Sequence, residues 1–253
     1  MNSENLAAVH LGQKSEYKTQ YDPNLLVFYP RKIKRDELGL TSSLPFAGFD
    51  VWNLYEVSYL LPNGFPQTSI GRLIYSANTE NIVESKSLKL YFNSFNNTQL
   101  SGDEELISKV TEDLQKGLGG DVVNYFNFQL YPTYDTSGIY EIAGYERDVR
   151  YIDSLAENMS LTTSIYNPEA SLLGENLVYS TPWDPSTVTL RSDLLKSNCL
   201  VTHQPDWGTA LLRFSSCDVR PGEVSLLKYI VSFRNHNEFH EQCCERIFKD
   251  VLT

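Results

Sequence analysis

The sequence predicts an α+β protein made of two tandem modules, each ordered strand-strand-helix-helix, with two further strands closing the first. Three observations carry this reading. Segments rich in β-branched and aromatic residues come in pairs, each pair is followed by two segments with apolar residues at helical spacing, and the order recurs later in the chain. With 253 residues, 41% of them hydrophobic, the chain can bury a sizeable core.

Residues 1–45, with YDPNLLVFYPRK, read as an irregular N-terminal arm because prolines, tyrosines and polar residues alternate without a period. The first module spans 46–153. DVWNLYEVSYL and QTSIGRLIYSA flank the turn signal PNGF and predict a hairpin. Leu88, Tyr91, Phe92 and Phe95 then fall on one helical face. In the next helix Ser101 is the expected cap, Ile107, Val110 and Leu114 the inner stripe, and Gly117, Gly119 and Gly120 the stop. VVNYFNFQLYPTYD and IYEIAGYERDVRYID read as the closing strands. Residues 154–190, a mixed stretch containing Asn, Ser and Pro, read as a linker.

The second module spans 191–253, with strands in LLKSNCLVTHQPDW and GTALLRFSS and helices in EVSLLKYIVSFRN and NEFHEQCCERIFKDVL. A shift of 139 residues matches Glu84 to Glu223, Leu88 to Leu227, Lys89 to Lys228 and Asn96 to Asn235. This copy stops after its last helix, so the sequence predicts a module truncated at its C-terminus with an unpaired sheet edge.

Charge and cysteine usage narrow the function classes. A net charge of -11 argues against direct nucleic-acid binding, which rests on clustered Lys and Arg. Cys199, Cys217, Cys243 and Cys244 show no disulfide-framework spacing and follow a polar N-terminus, MNSENLAAVHLGQKSEY, so a reducing cytoplasm is expected. No apolar run approaches the ~18 residues of a membrane span, so no membrane partner is expected. The Cys and His spacings build no two-plus-two ligand set, and no metal is expected. GLGG at 117–120 closes a helix instead of opening one, which argues against a dinucleotide fold of the Rossmann kind, and there is no nucleophile elbow.

One polar segment has reactive chemistry. A catalytic thiol needs thiolate character, access and a nearby acid. Cys199 lies among Lys196, Ser197, Asn198, Thr202 and His203, and Asp206 follows in QPDWG, where Pro205 and Gly208 are expected to fix a turn and Trp207 to shield the carboxyl group from water. The same residues fit a quiet strand-end thiol and a turn-capping aspartate, and a Cys/His/Asp hydrolase stays open. His240 and Glu241 can face one cleft from the first turn of a helix, beside a cap such as Asn237. Glu84 heads the first helix, where it also complements the helix dipole, and Lys86 and Lys89 can meet a phosphate.

ESKSLKLYFNSFNN, LKSNCLVTHQPDWG and VSFRNHNEFHEQCCERIF together resemble the long, two-module form of the NADPH-dependent 7-cyano-7-deazaguanine reductases, nitrile reductases of queuosine biosynthesis. The resemblance extends through YDPNLLVFYPRKIKRDELGL and LPFAGFDVWNLYEVSYL. It implies tandem tunnelling-fold modules and homodimers or other homo-oligomers. It further implies that Cys199 forms a covalent thioimide with the nitrile, that Asp206 donates a proton and that His240 assists proton movement. Val83, Glu84, Ser85, His240 and Glu241 would contact the free deazaguanine base, and Ser85 and Lys86 would contact NADPH. Family members continue into a TRRGG-like cofactor segment that this sequence lacks, so a relative that captures the base without turnover is the alternative.

Overall fold

The computed structural model describes residues 18–40, 43–120, 125–134, 149–158, 160–180, 187–200 and 203–253. They fall into two compact units, one within residues 14–145 and the other within 146–253. The first contains β1 (Phe28–Pro30), α1 (Arg31–Glu37), β2 (Phe49–Leu60), β3 (Pro66–Ser76), β4 (Asn81–Val83), α2 (Ser85–Asn93), α3 (Asp103–Leu118) and β5 (Phe126–Tyr131). β2, β3 and β5 form an antiparallel sheet in that order, and β1 pairs antiparallel with β4. Gly64, at φ 84°, makes the turn between β2 and β3, a left-handed conformation open to glycine at little cost.

The second unit contains β6 (Val149–Tyr151), β7 (Leu177–Tyr179), β8 (Val188–Asn198), β9 (Pro205–Phe214), β10 (Val219–Pro221), α4 (Glu223–Ser232) and α5 (His240–Leu252). β8 pairs antiparallel with β9 and parallel with β6, while β7 pairs antiparallel with β10. The fold is α+β, with α2 and α3 burying their apolar faces in the first core and α4 and α5 in the second.

The two units are copies of one design, related by a shift of 138 through their central part. Tyr91, Ser94 and Phe95 of the first copy become Tyr229, Ser232 and Phe233 of the second, and all six are buried. Ser94 Oγ donates to the Tyr91 carbonyl and Ser232 Oγ to the Tyr229 carbonyl, each at 2.6 Å. The Tyr91 hydroxyl donates to Asp113 at 2.6 Å and the Tyr229 hydroxyl to Asp250 at 2.8 Å. The same β-bulge lies between Leu54 and Val57 of β2 and between Ser192 and Leu195 of β8. The same isolated bridge ties Leu60 to Gln99 and Asn198 to Asn237. The expected shift of 139 is therefore one residue too long. It matched abundant Leu and Lys, whereas the buried Tyr-x-x-Ser-Phe pattern sets the register.

Several expectations are corrected. The described part of the irregular arm contributes β1 and α1, and its Tyr21, Leu25, Leu26 and Phe28 pack against the first core. Within 154–190, β7 does for the second copy what β1 does for the first, and Leu172 and Leu173 are buried in the second core. Strands this short have no readable period. Of the second expected closing strand, 139–153, residues 139–148 lie outside the described residues. The remainder, β6, joins the sheet of the second unit because its partner is β8. α3 is capped by Gly102 and not by Ser101, whose N–H and hydroxyl both donate to Glu105 Oε2 at 2.9 Å. Its fully buried stripe is Leu106, Val110, Leu114 and Leu118, with Ile107 partly buried.

The tyrosine-aspartate pair gives a stability prediction. Tyr91→Phe is expected to cost about 1 kcal/mol, since the Tyr21 hydroxyl, 2.7 Å from Asp113, continues to satisfy that carboxylate. An unchanged urea midpoint would show that the Tyr91 hydroxyl gains nothing over water.

Candidate active site

Cys199 is placed by the bulge in β8. Side chains alternate across a strand, so a regular strand would continue the core-facing row of Leu190 and Ser192 through even-numbered residues. The extra residue moves the row to Leu195 and Ser197, both buried, and the next position in it is Cys199. The bulge has its own support, because Asp153 accepts the Asp193 N–H at 2.8 Å and the Ser192 hydroxyl at 2.5 Å. Beyond the strand, the Cys199 N–H donates to the Gln204 carbonyl at 2.8 Å and the His203 N–H to the Cys199 carbonyl at 3.0 Å. His203 sits at φ 55°, and its Nδ1 lies 3.3 Å from Asn237 Oδ1. Cys199 is half-buried at the end of the core face.

β9 brings the acid to the same end. Ser197 lies opposite Asp206 and Leu195 opposite Gly208, so Asp206 and Gly208 share the face that leads to Cys199. A Cβ on Gly208 would lie 3.6 Å from Cε1 of His240, the first residue of α5. The imidazole thus packs over the strand position two residues from Asp206. Cys199, Asp206 and His240 converge on one sheet end, with Glu241 in the same helical turn.

Three local expectations fail here. Pro205, Asp206, Trp207 and Gly208 are in β9, not in a turn, because they pair with β8. Trp207 consequently points away from Asp206, is 55% exposed, and packs its ring against the Arg234 guanidinium at 5.6 Å, so it does not shield the carboxyl group. The residue before α5 is Phe239, whose N–H donates to Gln242 Oε1 at 3.3 Å, while Asn237 serves His203 instead of capping the helix.

The residues assigned to the base in the first unit, Val83, Glu84 and Ser85, and those assigned to the cofactor, Ser85 and Lys86, lie at the junction of β4 and α2. Glu84 is the N-cap. Its two carboxylate oxygens accept the Lys86 N–H at 3.0 Å and the Ser87 N–H at 2.7 Å, and the side chain is 5% exposed. Each oxygen keeps acceptor capacity beyond its one backbone bond. Val83 is buried beneath, in the first core, while Ser85 and Lys86 are exposed.

A family model described as the N-terminal part of the nitrile reductase 7-cyano-7-deazaguanine reductase matches residues 17–125, and a model of a QueF-like protein matches 205–253. Among curated proteins, the NADPH-dependent 7-cyano-7-deazaguanine reductase of Ralstonia nicotianae is 44% identical over 245 residues, covering 95% of this chain and 82% of the relative. That of Cupriavidus metallidurans is 45% identical over 246 residues, covering 96% and 82%. The chain belongs to the 7-cyano-7-deazaguanine reductase family.

The relatives of this reductase family are named as NADPH-dependent, and the exposed start of α2 suits a phosphate-bearing cofactor. The Ser85 hydroxyl and the Lys86 ammonium are donors beside a helix N-terminus, with Lys89, ion-paired to Glu56 at 2.9 Å, one turn on. Glu84 already accepts the Lys86 and Ser87 N–H groups, which leaves the Ser85 and Lys86 side chains as the more accessible donors for a phosphate. Sequence reasoning missed another group in this reductase. Glu238 is completely buried. Its carboxylate accepts from Arg246 NH2 at 2.8 Å and Arg246 Nε at 3.0 Å. His236 Nε2 lies 3.0 Å from the same carboxylate, at ion-pair distance but not aligned for a hydrogen bond. The available signal was the internal repeat, because the matching residue in the first copy is Leu100.

Proposed function

We propose that the chain reduces the nitrile of 7-cyano-7-deazaguanine to the aminomethyl group of 7-aminomethyl-7-deazaguanine with NADPH, a step of queuosine biosynthesis on the free base. The convergence of Cys199, Asp206 and His240 at one sheet end is the observation that supports this chemistry best. In this reading the Cys199 sulfur adds to the nitrile carbon as one C–N π bond breaks. The thiol proton ends on the nitrogen, passed by Asp206, to give a thioimide. Docking of the base excludes water from the exposed Asp206 carboxyl, and His240, at the positive end of α5, orders the protons beside it. Glu84 accepts N–H groups of the base edge, a task for an acceptor-only carboxylate already fixed by two backbone bonds. Val83, Ser85, His240 and Glu241 complete the substrate contacts, and Ser85 and Lys86 hold the cofactor. Bound there, NADPH would supply hydride, two equivalents being needed to take a nitrile to an amine. After the first hydride the carbon would be saturated and carry both sulfur and nitrogen; the nitrogen lone pair then expels Cys199 as thiolate, and the resulting imine would take the second hydride to become the amine.

The net charge of -11 suits a free base better than tRNA, and a reducing cytoplasm suits a free thiol. Association of subunits is part of the proposal. β2, twelve residues long, is an edge strand of its sheet among the described residues and exposes Phe49 and Tyr55, a template for pairing.

Intact-protein mass spectrometry with 7-cyano-7-deazaguanine, followed by NADPH, tests the reading. A Cys199 adduct that clears as NADPH is consumed is expected. A persistent adduct would mean capture without turnover, and hydrolysis of an amide or ester without adduct would mean a hydrolase. The role of Glu84 is separable from its capping role. Glu84→Ser keeps a capping oxygen and is expected to weaken base binding by about 1.5–3 kcal/mol, with little change in melting temperature. Unchanged affinity by calorimetry would leave Glu84 as a helix cap alone.

A further inference from the structure

Glu238 and His236 have counterparts in the first copy at Leu100 and Thr98 by the shift of 138, and Arg246 has one at Lys109, on the last helix, where the shift falls to 137 as it does for Asp113 and Asp250; none of the three is a buried charge. The backbone around them is the same. Leu100 donates its N–H to the Leu60 carbonyl at 2.9 Å, and Leu60 donates to Thr98 at 2.9 Å. In the second copy Glu238 donates to Asn198 at 3.0 Å, and Asn198 to His236 at 2.7 Å. Leu100, 2% exposed, fills the first position with hydrocarbon. The fold alone therefore asks for no carboxylate at this place, and a buried ion pair seldom stabilises more than an apolar group of similar volume.

What differs between the copies is what the bridge supports. In the first it leads into Leu61, in the second into Cys199. Asn198 is held from several sides. Its side-chain amide donates to the His236 carbonyl at 3.2 Å, and its Oδ1 accepts from Lys196 at 2.7 Å. Lys196 in turn donates to the Arg234 carbonyl at 2.6 Å. On the other side, Glu238 stands two residues before His240. Arg246, reaching back from the second turn of α5, grips Glu238 with both nitrogens and fixes the entry of the chain into that helix. A planar fork on a carboxylate sets direction as well as distance, which Leu100 cannot do.

We propose that Glu238, gripped by Arg246 and faced by His236, is a positioning residue that holds the Cys199 turn and the first residue of α5, His240, in one fixed geometry. It touches neither the base nor the cofactor. The proposal rests on the assignment of Cys199 as nucleophile. Misplacement of a nucleophile by about 1 Å costs on the order of a hundredfold in rate, whereas base affinity, which in the proposed function draws on Glu84 and Val83 as well as on the His240 turn, changes much less.

The test compares the wild type with Glu238→Gln and with the double variant Glu238→Leu/Arg246→Leu, which recreates an apolar position like that of Leu100. The rate of Cys199 adduct formation with 7-cyano-7-deazaguanine is measured without NADPH by rapid-quench mass spectrometry, over a range of base concentrations. In both variants the saturating rate is expected to fall at least tenfold, with the half-saturating concentration within threefold of the wild type. Glu238→Asp is expected to recover part of the rate. A folded double variant that labels within twofold of the wild type would overturn the proposal, and so would failure of both variants to fold, which would make the cluster a structural support only. Absence of an adduct in the wild type would instead overturn the assignment of Cys199.

Discussion

Cys199→Ala is expected to remove all covalent capture of 7-cyano-7-deazaguanine and all NADPH oxidation, while Cys217→Ala keeps both. The expectation follows from where each thiol stands. Cys199 is half-buried at the end of the core-facing row, with Asp206 and Gly208 on the paired strand in the same face and His240 packed over Gly208. Cys217 lies between β9 and β10, where its carbonyl serves the Ser180 hydroxyl at 2.5 Å. Cys243 is buried, and burial together with the charge of Glu238 pushes its thiol up to about 12, so it supplies no thiolate near neutrality. Cys244, exposed on α5, is the remaining competitor, and peptide mapping of the adduct separates it from Cys199. An adduct that survives Cys199→Ala would move the nucleophile elsewhere and with it the role of the bulge.

The bulge shows what the sequence left unread. The reactive segment was visible in LKSNCLVTHQPDWG, but which of Asn198 and Cys199 joins the core-facing row depends on a single extra residue between Ser192 and Leu195. No local pattern marks it. The environment of Asp206 was misread for a related reason: Pro and Gly on either side of Asp-Trp look like a turn, yet pairing with β8 overrides them and places Trp207 on the opposite face. The helices were legible because Leu88, Tyr91 and Phe92 repeat at the helical period and nothing in the tertiary structure opposes it. β1, β4, β7 and β10 were not, since three-residue strands carry no period and their partners are 40 to 55 residues away.

The repeat links fold to chemistry. Read with the correct shift, position 84 is a glutamate cap in the first copy and Gly222 in the second, while position 199 is a cysteine in the second copy and Leu61 in the first. In the proposed function each copy supplies a different end of the site on the same frame. The identities that reveal the frame, Tyr-x-x-Ser-Phe and the aspartate under each tyrosine, are structural. The residues that break the symmetry are therefore the ones to examine for function, and Glu238 is found that way.

Glu238 is expected to make the second unit acid-sensitive. Burial on its own would push this carboxyl up, but His236 and the two nitrogens of Arg246 outweigh it and hold the group down to about 2. A depressed folded value means that the unfolded chain binds the proton more readily. The stabilisation is thus fully present above the ordinary glutamate value of 4.5 and is lost as pH falls toward about 2. The difference corresponds to roughly 3 kcal/mol at neutral pH. Other carboxylates are also held below their ordinary values, among them Asp22 and Glu223, so the useful quantity is the difference between the wild type and Glu238→Gln at each pH. Hydrogen exchange of α5 amides is expected to show the wild type protected by ~100-fold over the variant at pH 6–7, with the two curves converging as pH approaches about 2. A gap that stays constant with pH would mean that Glu238 stabilises by its packing and not by its charge, and the grip of Arg246 would then carry no electrostatic share of the fold.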